Sequence, residues 1–508
     1  MLYHIRSVVV TGGAFWTTGL PDSMDNTPRD GFAPLFYPKS QAVIGASASP
    51  RKFGGRFLQA LLTFGYKGRL YPVNPQESKV QGLKTYASVR DIPGPVELAS
   101  VAVPAPAVPG VLEECLEKGV KAVQVLSAGF REAGEEGARL EQRLAEIAAR
   151  GLRIVGPNCF GVYCPAGGLT ILPGDYLPKE TGPVAFISQS GGYAIRVPRR
   201  AAGLGIRFSK VVSYGNACDV NECDLLEYFL EDPETRVICG YIEGVRDGRR
   251  FLEVLEKVCR QKPVILWKGG LTRGGARAVQ SHTASLGEEE AVWRALFRQT
   301  GAVPVADLEE LLDTLLAFVH LEPFTGRRVC PIGGGGGIGV AAADACERVG
   351  LEVPPFPPEV QAKLLKIVPP AGASARNPVD VATPFPPPAM LRAVMEVVLA
   401  GDIDMAVVDE IEMAAVTPGT EEPMRPPEAG RELARVPVEV RRQFGKPVVV
   451  VLPVEAVSTD TLASEGARRE IRDFLLEHHI PVYLTLPRAA RALANFTAYY
   501  RHRAALER

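Results

Sequence analysis

The segment 277–286 holds the side chain best suited to covalent chemistry. His282, one of six histidines in the 508 residues, stands among small hydroxyl residues and follows glycine pairs at 269–270 and 274–275. No second histidine lies three to five residues away and no cysteine pair accompanies it, so the spacing of a metal site is lacking. An imidazole on such a flexible segment can act as a nucleophile and carry a transferable group on a ring nitrogen. A loop histidine without a chemical role is the alternative, and the rest of the chain must decide between the two.

Three turns of small residues have the composition of anion-binding sites. Each follows a short apolar run and precedes a helix pattern, at 45–47, 188–191 and 333–337. A helix that starts after a strand presents free backbone N–H groups and the positive end of its dipole, which together attract phosphate. Turns that serve packing or flexibility alone are the alternative at the first and third positions.

The first of these turns argues against NAD. The dinucleotide fingerprint needs G-x-G-x-x-G after the first strand and an acidic residue about 20 positions later for the ribose. Here the glycines are Gly45, Gly54 and Gly55, and the second strand ends in Asn74 and Pro75. The sequence therefore predicts a loop that holds the phosphates of a ligand other than NAD.

The elements that must position these residues alternate between strand and helix. Short apolar runs closed by small or turn residues predict strands at 41–44, 69–73, 98–103, 120–126, 152–155, 183–187, 211–213, 237–242, 264–267, 328–332, 405–409, 447–453 and 481–483. Helix patterns lie between them, for example at 53–64, 132–150, 224–231, 288–300 and 340–348. The alternation predicts an α/β fold of parallel, doubly wound sheets with ligand crevices at the carboxyl ends of the strands.

Breaks in this pattern divide the chain into an extension and three units. Residues 1–35 do not read as part of a domain and lack signal-peptide architecture; we expect Met24 to be the native start and the preceding segment to be loosely held. The first unit spans 36–170 and ends in a connector rich in Pro and Gly. The second unit spans 180–325 and contains His282, and the third spans 326–508.

Composition excludes several classes of protein. With 46% hydrophobic and 23% charged residues, the chain reads as an ordinary globular protein of about three domains. A net charge of −1 gives no basic footprint for nucleic acid or for a membrane surface. Nine scattered cysteines without C-x-x-C spacing indicate reduced thiols and a cytoplasmic location, and no apolar run is long enough to predict a membrane span.

Taken together and in order, these segments resemble the α subunit of the ADP-forming (NDP-forming) acyl-CoA synthetases, which are related to succinyl-CoA synthetase. The family motifs are Val-Ile-Gly-Ala-Ser, Val-Asn-Pro, Gly-Pro-Asn-Cys, Ser-Gln-Ser-Gly, Ser-His-Thr-Gly-Ser-Leu, a Gly-rich loop and Asn-Pro-Val-Asp. Their counterparts stand here at 43–47, 73–75, 156–159, 188–191, 281–286, 333–337 and 377–380. The resemblance covers about 36–485 and implies a Rossmann-like CoA-binding domain followed by two flavodoxin-like ligase domains.

The resemblance also implies roles for individual residues. His282 matches the histidine that is transiently phosphorylated, and Glu243 matches the carboxylate that orients its ring; a carboxylate on one ring nitrogen leaves the other as the nucleophile. The phosphoryl group is expected to lie at Ser188, Gln189, Ser190, Gly191, Gly334, Gly335, Gly336 and Gly337. CoA contacts are expected from Gly45, Ala46, Ser47, Asn74, Val103, Pro104, Ser127, Ala128, Asn158 and Cys159. No metal ligand is implied on this chain.

Some positions depart from the family pattern. Ala284 replaces the usual glycine of the histidine motif, and Gln76 stands where some relatives have a lysine. Five glycines replace a more usual Asn-Ala-Gly-Gly-Pro-Gly. In the helix after residue 188, Pro198 adjoins Arg199 and Arg200, and we expect the proline to kink or shorten that helix.

The chain shows no ATP-grasp module after residue 327. The resemblance then implies that ATP/ADP or GTP/GDP, with Mg²⁺, binds to a separate ATP-grasp β subunit, in a hetero-oligomer or homodimer. The implied reaction is acyl-CoA + NDP + phosphate ⇌ acid + CoA + NTP, through an acyl phosphate and phosphorylated His282. A CoA-binding regulatory protein without turnover is the alternative, and a protein acyltransferase, for which little chain remains after residue 485, is another.

Overall fold

The computed structural model describes residues 31–49, 51–171, 177–283, 289–409, 411, 427–453 and 462–508, without the side chains of 280–283, 427–429 and 462–464. The expected start at Met24 and the segment before it lie outside the described residues, as does the side chain of His282.

The first unit is an open parallel sheet with helices on its faces. Its strands are β1 (Ser40–Ile44), β2 (Arg69–Val73), β3 (Lys79–Val80), β4 (Leu83–Lys84), β5 (Leu98–Val101), β6 (Ala122–Val125) and β7 (Arg153–Val155). Its helices are α1 (Ala33–Phe36), α2 (Phe53–Phe64), α3 (Val108–Lys118) and α4 (Glu135–Ala148). The sheet order is β2-β1-β5-β6-β7, and β3 and β4 form a separate hairpin. Every residue of β1 is buried, as expected for a strand covered on both faces.

The second unit repeats this plan and gains one antiparallel strand. Its strands are β8 (Gly161–Tyr163), β9 (Val184–Ser188), β10 (Phe208–Ser213), β11 (Val237–Ile242), β12 (Val264–Lys268) and β13 (Val303–Val305). Its helices are α5 (Gly191–Ala202), α6 (Glu222–Glu231), α7 (Gly248–Cys259), α8 (Arg273–Thr283), α9 (Glu290–Thr300) and α10 (Leu308–His320). The order is β13-β12-β11-β9-β10-β8, with β8 antiparallel to β10. A stretch assigned by sequence to the first unit therefore completes the second sheet.

The third unit is again parallel. Its strands are β14 (Val329–Gly333), β15 (Val379–Asp380), β16 (Met405–Asp409), β17 (Val448–Val451) and β18 (Val482–Tyr483). Its helices are α11 (Gly336–Arg348), α12 (Pro358–Leu364), α13 (Pro388–Ala400), α14 (Pro427–Phe444), α15 (Leu462–Glu477) and α16 (Leu486–Leu506). The order is β15-β14-β16-β17-β18.

All three sheets share one strand order. If the parallel strands are counted along the chain within each unit, each sheet reads 2-1-3-4-5. This is the flavodoxin-type order, and even the Rossmann-like first unit has it in place of the 3-2-1-4-5-6 order of dinucleotide-binding sheets. The order reverses between the first and third strands of each unit, and ligands bind at such a switch point, beside the carboxyl ends of the strands. The fold therefore offers three crevices, at β1/β5, β9/β11 and β14/β16.

The units pack into one another. The rings of Phe318 in α10 and Phe496 in α16 have centroids 4.9 Å apart, so the last helix of the third unit lies on the last helix of the second. At the other end, Phe36 of α1 stacks on Tyr228 with centroids 4.8 Å apart, and Leu35 is buried. This corrects the predicted extension 1–35, because its last residues belong to the packed fold.

Two helix expectations need correction. Pro198 does not shorten its helix, since α5 continues for four residues beyond it to Ala202. The 274–275 glycine pair is not a flexible hinge, because it lies inside α8, whose last turn also contains the backbone of His282. The backbone at His282 is therefore helical and does not form the loop that the sequence predicted.

Three further findings concern the cysteines, membrane spans and metal-ligand groups of the described residues. All nine cysteines are buried free thiols. No described helix has the length and apolar character needed to cross a membrane. No group of three or more His, Cys, Asp or Glu side chains in the described ranges is arranged to hold a metal ion.

Candidate functional site

A cleft of about 710 Å³ opens at the switch point of the first sheet. It lies at the carboxyl ends of β1, β2 and β5, as the strand order requires. Four of the predicted CoA residues line it: Gly45, Asn74, Val103 and Pro104. Its volume falls within the usual range of small-molecule sites, roughly 300–1,000 Å³. The residues present therefore fit a large nucleotide-type ligand.

Two glycines at this cleft allow neighbouring backbone segments to approach closely. Gly45 has φ +89°, and a Cβ added there would lie 2.5 Å from the carbonyl oxygen of Ala102. A Cβ at Gly54 would lie 2.3 Å from the carbonyl oxygen of Gly45. The start of α2 therefore approaches the loop backbone more closely than any other residue type would allow. Such an approach leaves backbone N–H groups for a phosphate.

Glu77 closes the same loop, a role that the sequence reasoning missed. Its carboxylate accepts hydrogen bonds from the Ala48 N–H and the Ser47 hydroxyl, both at 2.8 Å. The Ala48 N–H and then the Ser47 hydroxyl hold the pKa of Glu77 below its usual value. Asn74 Nδ2 donates to the Ala46 carbonyl at 2.7 Å. Ala46 and Ser47 thus set the shape of the loop. An acidic residue just after the second strand was the available signal.

The remaining predicted CoA residues form the rim of the same sheet edge. Ser127 Oγ donates to the Val103 carbonyl at 2.5 Å, and the Asn158 N–H donates to the Ser127 carbonyl at 2.9 Å. Ala128 is exposed beside them. Cys159 instead faces the core: its thiol lies 3.3 Å from the Val125 carbonyl, and burial raises its pKa to about 12. Cys159 is therefore a packing residue whose thiol stays protonated near neutral pH.

Asn216 ties this rim to the second unit. Its side-chain nitrogen donates to the carboxylates of Glu132 at 2.7 Å and Glu141 at 2.8 Å, while its carbonyl accepts from Arg131 and from Arg246. Glu132 also accepts the backbone N–H of Gly129 at 2.7 Å. Asn216 is nearly buried, so its hydrogen bonds are made in a low-dielectric junction. We call these five side chains of residues 131, 132, 141, 216 and 246 the junction network.

The second switch point carries Ser188 to Gly191. Ser190 is the residue before the first turn of α5, and the N–H groups of Gly191, Gly192 and Tyr193 have no acceptor among the described residues. Ser188 Oγ donates to the Ser190 carbonyl at 2.7 Å, which fixes the turn. A Cβ at Gly191 would lie 2.0 Å from the ring of Phe160, so only glycine fits there. The turn thus has free donors and a helix dipole aimed at one point.

The side chain of Gln189, which the sequence placed at the phosphate, hydrogen-bonds the backbone of Glu243 and Gly244. Its side-chain oxygen accepts the N–H groups of Glu243 and of Gly244, the latter at 3.0 Å, and its nitrogen donates to the Gly244 carbonyl at 3.0 Å. These bonds join the loop after β9 to the turn after β11. Gln189 therefore positions Glu243.

Glu243 is buried at the end of β11, with 5% of its surface exposed. The phenol of Tyr241 hydrogen-bonds its carboxylate, and burial followed by the Glu243 charge raises the pKa of Tyr241. Lys268 Nζ donates to the Glu243 carbonyl at 2.9 Å. These contacts fix Glu243 at the carboxyl edge of the sheet. An imidazole that reached this edge could donate a hydrogen bond to its carboxylate.

Helix α8, which contains the backbone of His282, contacts the first unit. The helix packs against the short 3-10 turn Arg131–Ala133, which follows the predicted CoA residues Ser127 and Ala128. The His282 ring itself lies outside the described side chains, so its distance to Glu243 and to the glycine loops stays a prediction.

The third switch point holds the glycine run. Gly335 precedes α11, whose first turn begins at Gly336, and Asp380 at the end of β15 lies beside it. A Cβ at Gly334 would lie 2.6 Å from the Thr383 carbonyl oxygen, so this position requires glycine. Gly337 has open space around its Cα. The run therefore combines one close approach with a helix start that has room for a ligand.

Comparison with known proteins gives a family for each unit. A CoA binding domain matches residues 39–165, a succinyl-CoA ligase like flavodoxin domain matches 181–318, and a ligase-CoA domain matches 329–507. The α subunit of acetate–CoA ligase [ADP-forming] I from Pyrococcus furiosus is 40% identical over 478 residues, which cover 92% of this chain and 96% of that one. The chain belongs to the ADP-forming acyl-CoA synthetases.

Two further relatives support this family. Acetate–CoA ligase [ADP-forming] I of Archaeoglobus fulgidus is 42% identical over 348 residues, which cover 68% of this chain and 50% of that protein. The dinucleotide forming acetyl-coenzyme A synthetase 1 of Ca. Korarchaeum cryptofilum, solved with phosphate and ADP, superposes with a TM-score of 0.79 at 32% identity, over 94% of this chain and 98% of that one. This ADP-forming acyl-CoA synthetase chain is thus a ligase component that uses CoA and a nucleotide, and the regulatory alternative is not supported.

Proposed function

We propose that this chain performs the acyl transfer and the first phosphoryl transfer of an ADP-forming acyl-CoA synthetase, with His282 as the carrier of the phosphoryl group. The observation that carries the proposal is the packing of α8 against the turn Arg131–Ala133, which follows the predicted CoA residues Ser127 and Ala128 in the chain. The helix of the nucleophile and the rim of the CoA site thus belong to one surface. Acetate is the acid to test first, because relatives at 40% and 42% identity carry it in their names.

The chemistry divides into balanced steps. Phosphate attacks the thioester carbonyl of acyl-CoA; the C–S bond breaks, and an acyl phosphate and the CoA thiol result. A His282 ring nitrogen then attacks phosphorus, and the carboxylate leaves with the electrons of the P–O bond. Finally the phosphoryl group passes to the β-phosphate of ADP and regenerates the imidazole. A covalent relay replaces one difficult transfer with easier ones.

The chain's own residues supply orientation and charge. Glu243 would accept the N–H of one ring nitrogen of His282, so that the other is unprotonated and points to the phosphoryl group. The free N–H groups at the start of α5 would hold the phosphoryl oxygens, each helix start contributing on the order of 1 kcal/mol. The loop of Gly334 to Gly337 would supply a second helix start. CoA would lie in the first cleft, along Gly45, Asn74 and Val103.

The nucleotide step needs a partner in this proposal. The chain spans half of the Archaeoglobus fulgidus relative, whose name carries no subunit designation, whereas the Pyrococcus furiosus relative is by name a subunit. We therefore assign ADP/ATP and its Mg²⁺ to an ATP-grasp β subunit that forms a hetero-oligomer with this chain. Purified alone, the chain should make no acetyl-CoA from acetate, CoA and ATP.

The test separates the histidine step from the partner. The chain alone, given acetyl-CoA and radiolabelled inorganic phosphate, should acquire a base-stable, acid-labile label. His282→Asn should abolish both label and turnover of the complex while CoA binding stays within twofold. Glu243→Gln should keep the label but slow its appearance, by up to about 10⁴-fold if the carboxylate acts like the orienting aspartate of a serine-protease triad.

His502→Asn, a substitution in α16, is the matched control and should label at the wild-type rate. Undiminished labelling of His282→Asn would refute the assignment of the carrier.

A further inference from the structure

A second cavity, of about 450 Å³, lies between the second and third units, away from the three switch points. We call it the arginine cleft. Helices α5 and α10 of the second unit form one wall, and α15, α16 and the ends of β17 and β18 form the other. Its lining arginines are Arg200, Arg468, Arg469, Arg472 and Arg488.

The arginine cleft is separate from the proposed phosphoryl site. Gly191 starts α5 and Arg200 lies nine positions later in the same helix. A helix rises about 1.5 Å per residue, which puts the two about 14 Å apart along the axis. A ligand in the cleft would therefore occupy a site of its own.

The acidic side chains of the lining are already engaged. Asp313 binds Arg488 through both carboxylate oxygens, at 2.6 and 2.9 Å, Glu309 binds Arg200 at 2.5 Å, and Glu465 lies 3.6 Å from Arg468. The described lining holds five arginines against three carboxylates, so it carries a net charge of +2. A surplus of this size in a partly enclosed space attracts anions.

The unsatisfied charge lies on α15. Arg469 and Arg472 reach their one recorded acidic neighbour, Asp473, only at 3.9 and 3.8 Å, beyond hydrogen-bond distance. Arg472 Nε is buried without a hydrogen-bond partner among the described residues. Arg468 stands at i−4 from Arg472, and like charges at this spacing repel. Mutually repelling guanidinium groups lower the stability of the folded protein. A bound anion that pairs with them would explain why they are close together.

The rest of the lining is apolar. Its apolar lining residues are Leu204, Leu316, Leu452 and Val482, which we call the leucine floor. Small-molecule sites commonly combine such a floor with a few convergent polar groups. The ligand should therefore have a nonpolar body and a strongly charged end.

We propose that the arginine cleft binds an organic phosphate of about nucleotide size, with the phosphate on Arg469 and Arg472 and the body on the leucine floor. A phosphate monoester carries about −1.5 to −2 charges at pH 7 and three acceptor oxygens, which matches the surplus charge, whereas a simple carboxylate supplies only one charge. The guanidinium fork pairs with phosphate oxygens in a bidentate manner. The site takes no part in the proposed reaction.

AMP is the probe, because it has a phosphate and a flat aromatic base that can lie on apolar side chains, yet it is not a substrate of an ADP-forming ligase. Calorimetry on the full chain should show one AMP bound, no heat with adenosine, and weaker binding of inorganic phosphate. Saturating AMP should raise the thermal midpoint, because a ligand that binds the folded state alone stabilises it. The assay contains no acyl-CoA and no partner, and His282→Asn should bind AMP normally, so its outcome is independent of the proposed function.

The double variant Arg469→Gln/Arg472→Gln should weaken AMP binding at least tenfold. Arg442→Gln, at an exposed arginine of the same unit outside the cleft, should leave it unchanged. Should the double variant not fold, Arg469→Gln alone replaces it, since that side chain is 72% exposed. Absence of AMP binding to the unsubstituted chain, equal affinity in the cleft variant, or phosphate binding as tight as AMP would overturn the proposal.

Discussion

His320 is an almost fully buried imidazole between the second and third units. Neither ring nitrogen has a hydrogen-bond partner among the described residues. Its ring centroid lies 5.8 Å from that of His479, and Arg441 and Arg236 face the same space. Burial, and then these positive neighbours, lower the pKa of His320 from 6.5 to about 4. The ring is therefore neutral in the folded protein near neutral pH.

This shift predicts a loss of stability in mild acid. The unfolded chain takes up a proton on His320 below about pH 6.5, whereas the folded chain does so only near pH 4. Stability from this residue is thus complete above pH 6.5, falls as the pH drops toward 4 and is constant below. The loss from pH 7.5 to 5.5 should be roughly 1 kcal/mol. Thermal midpoints of His320→Phe should fall less than those of the wild type over this range, and equal falls would contradict the prediction.

Single residues also mark the limit of inference from sequence. Gly45 and Gly191 are recognisable because a turn between strand and helix needs small residues. The supporting roles of Gln189 and Glu77 are not recognisable, because their partners, Glu243 and Ser47, lie 54 and 30 positions away and meet them only in the folded sheet. Sequence patterns identify which segments form a site, but not which side chains support it and which contact the ligand.

At the scale of the element, two neighbouring glycines at the start of α5 allow a matched test of the helix geometry. Gly191→Ala would place a methyl group 2.0 Å from the Phe160 ring, whereas the Cβ of Gly192→Ala would meet only Ser190 Oγ at 3.7 Å. Overpacking of this kind costs about 1–3 kcal/mol. We expect Gly191→Ala to lower both the thermal midpoint and the rate of His282 labelling, at least tenfold for the rate.

Gly192→Ala should change neither the thermal midpoint nor the rate of His282 labelling by much, since alanine favours a helix and its methyl group has room at this position. Similar rates in the two variants would show that the phosphoryl group does not depend on the geometry of this helix start.

Strands were easier to predict than the histidine helix. β11 and β16 begin and end where the apolar runs do, because buried parallel strands consist of little else. The prediction for α8 was wrong because glycine pairs and hydroxyl residues are poor helix formers, so local composition argued for a loop. Tertiary packing against the first unit stabilises the helix, and no local pattern reveals that contact.

At the scale of the whole molecule, the junction network joins the CoA rim to the second unit. Asn216→Ala would remove one hydrogen bond from each of the Glu132 and Glu141 carboxylates, although Glu141 keeps its ion pairs with Arg131 and Arg246, so we expect a cost of about 1–3 kcal/mol in all. Since Glu132 holds the backbone of Gly129, the rim should loosen as well. We expect a lower thermal midpoint, a higher KM for CoA and slower His282 labelling.

Asn495→Ala provides the comparison. Asn495 bridges α16 to Glu310 and Thr314 of α10, at 3.2 and 3.0 Å, far from the CoA rim. Its loss should lower the midpoint while KM for CoA stays unchanged. An unchanged KM in Asn216→Ala as well would make the junction network purely structural.

The return of α16 onto α10 has a consequence for how the gene could be divided. A single hydrophobic core runs through the second and third units. Polar contacts add to it: Tyr499 donates to the Cys259 carbonyl at 2.9 Å, and Arg488 donates to the Asp313 carboxylate. A break in the polypeptide near residue 325 would leave these non-covalent contacts in place. The two pieces would then be obligate companions, each exposing half of a core, and should reassemble by fragment complementation when made together. The same contacts that hold one chain in shape would have become a subunit interface.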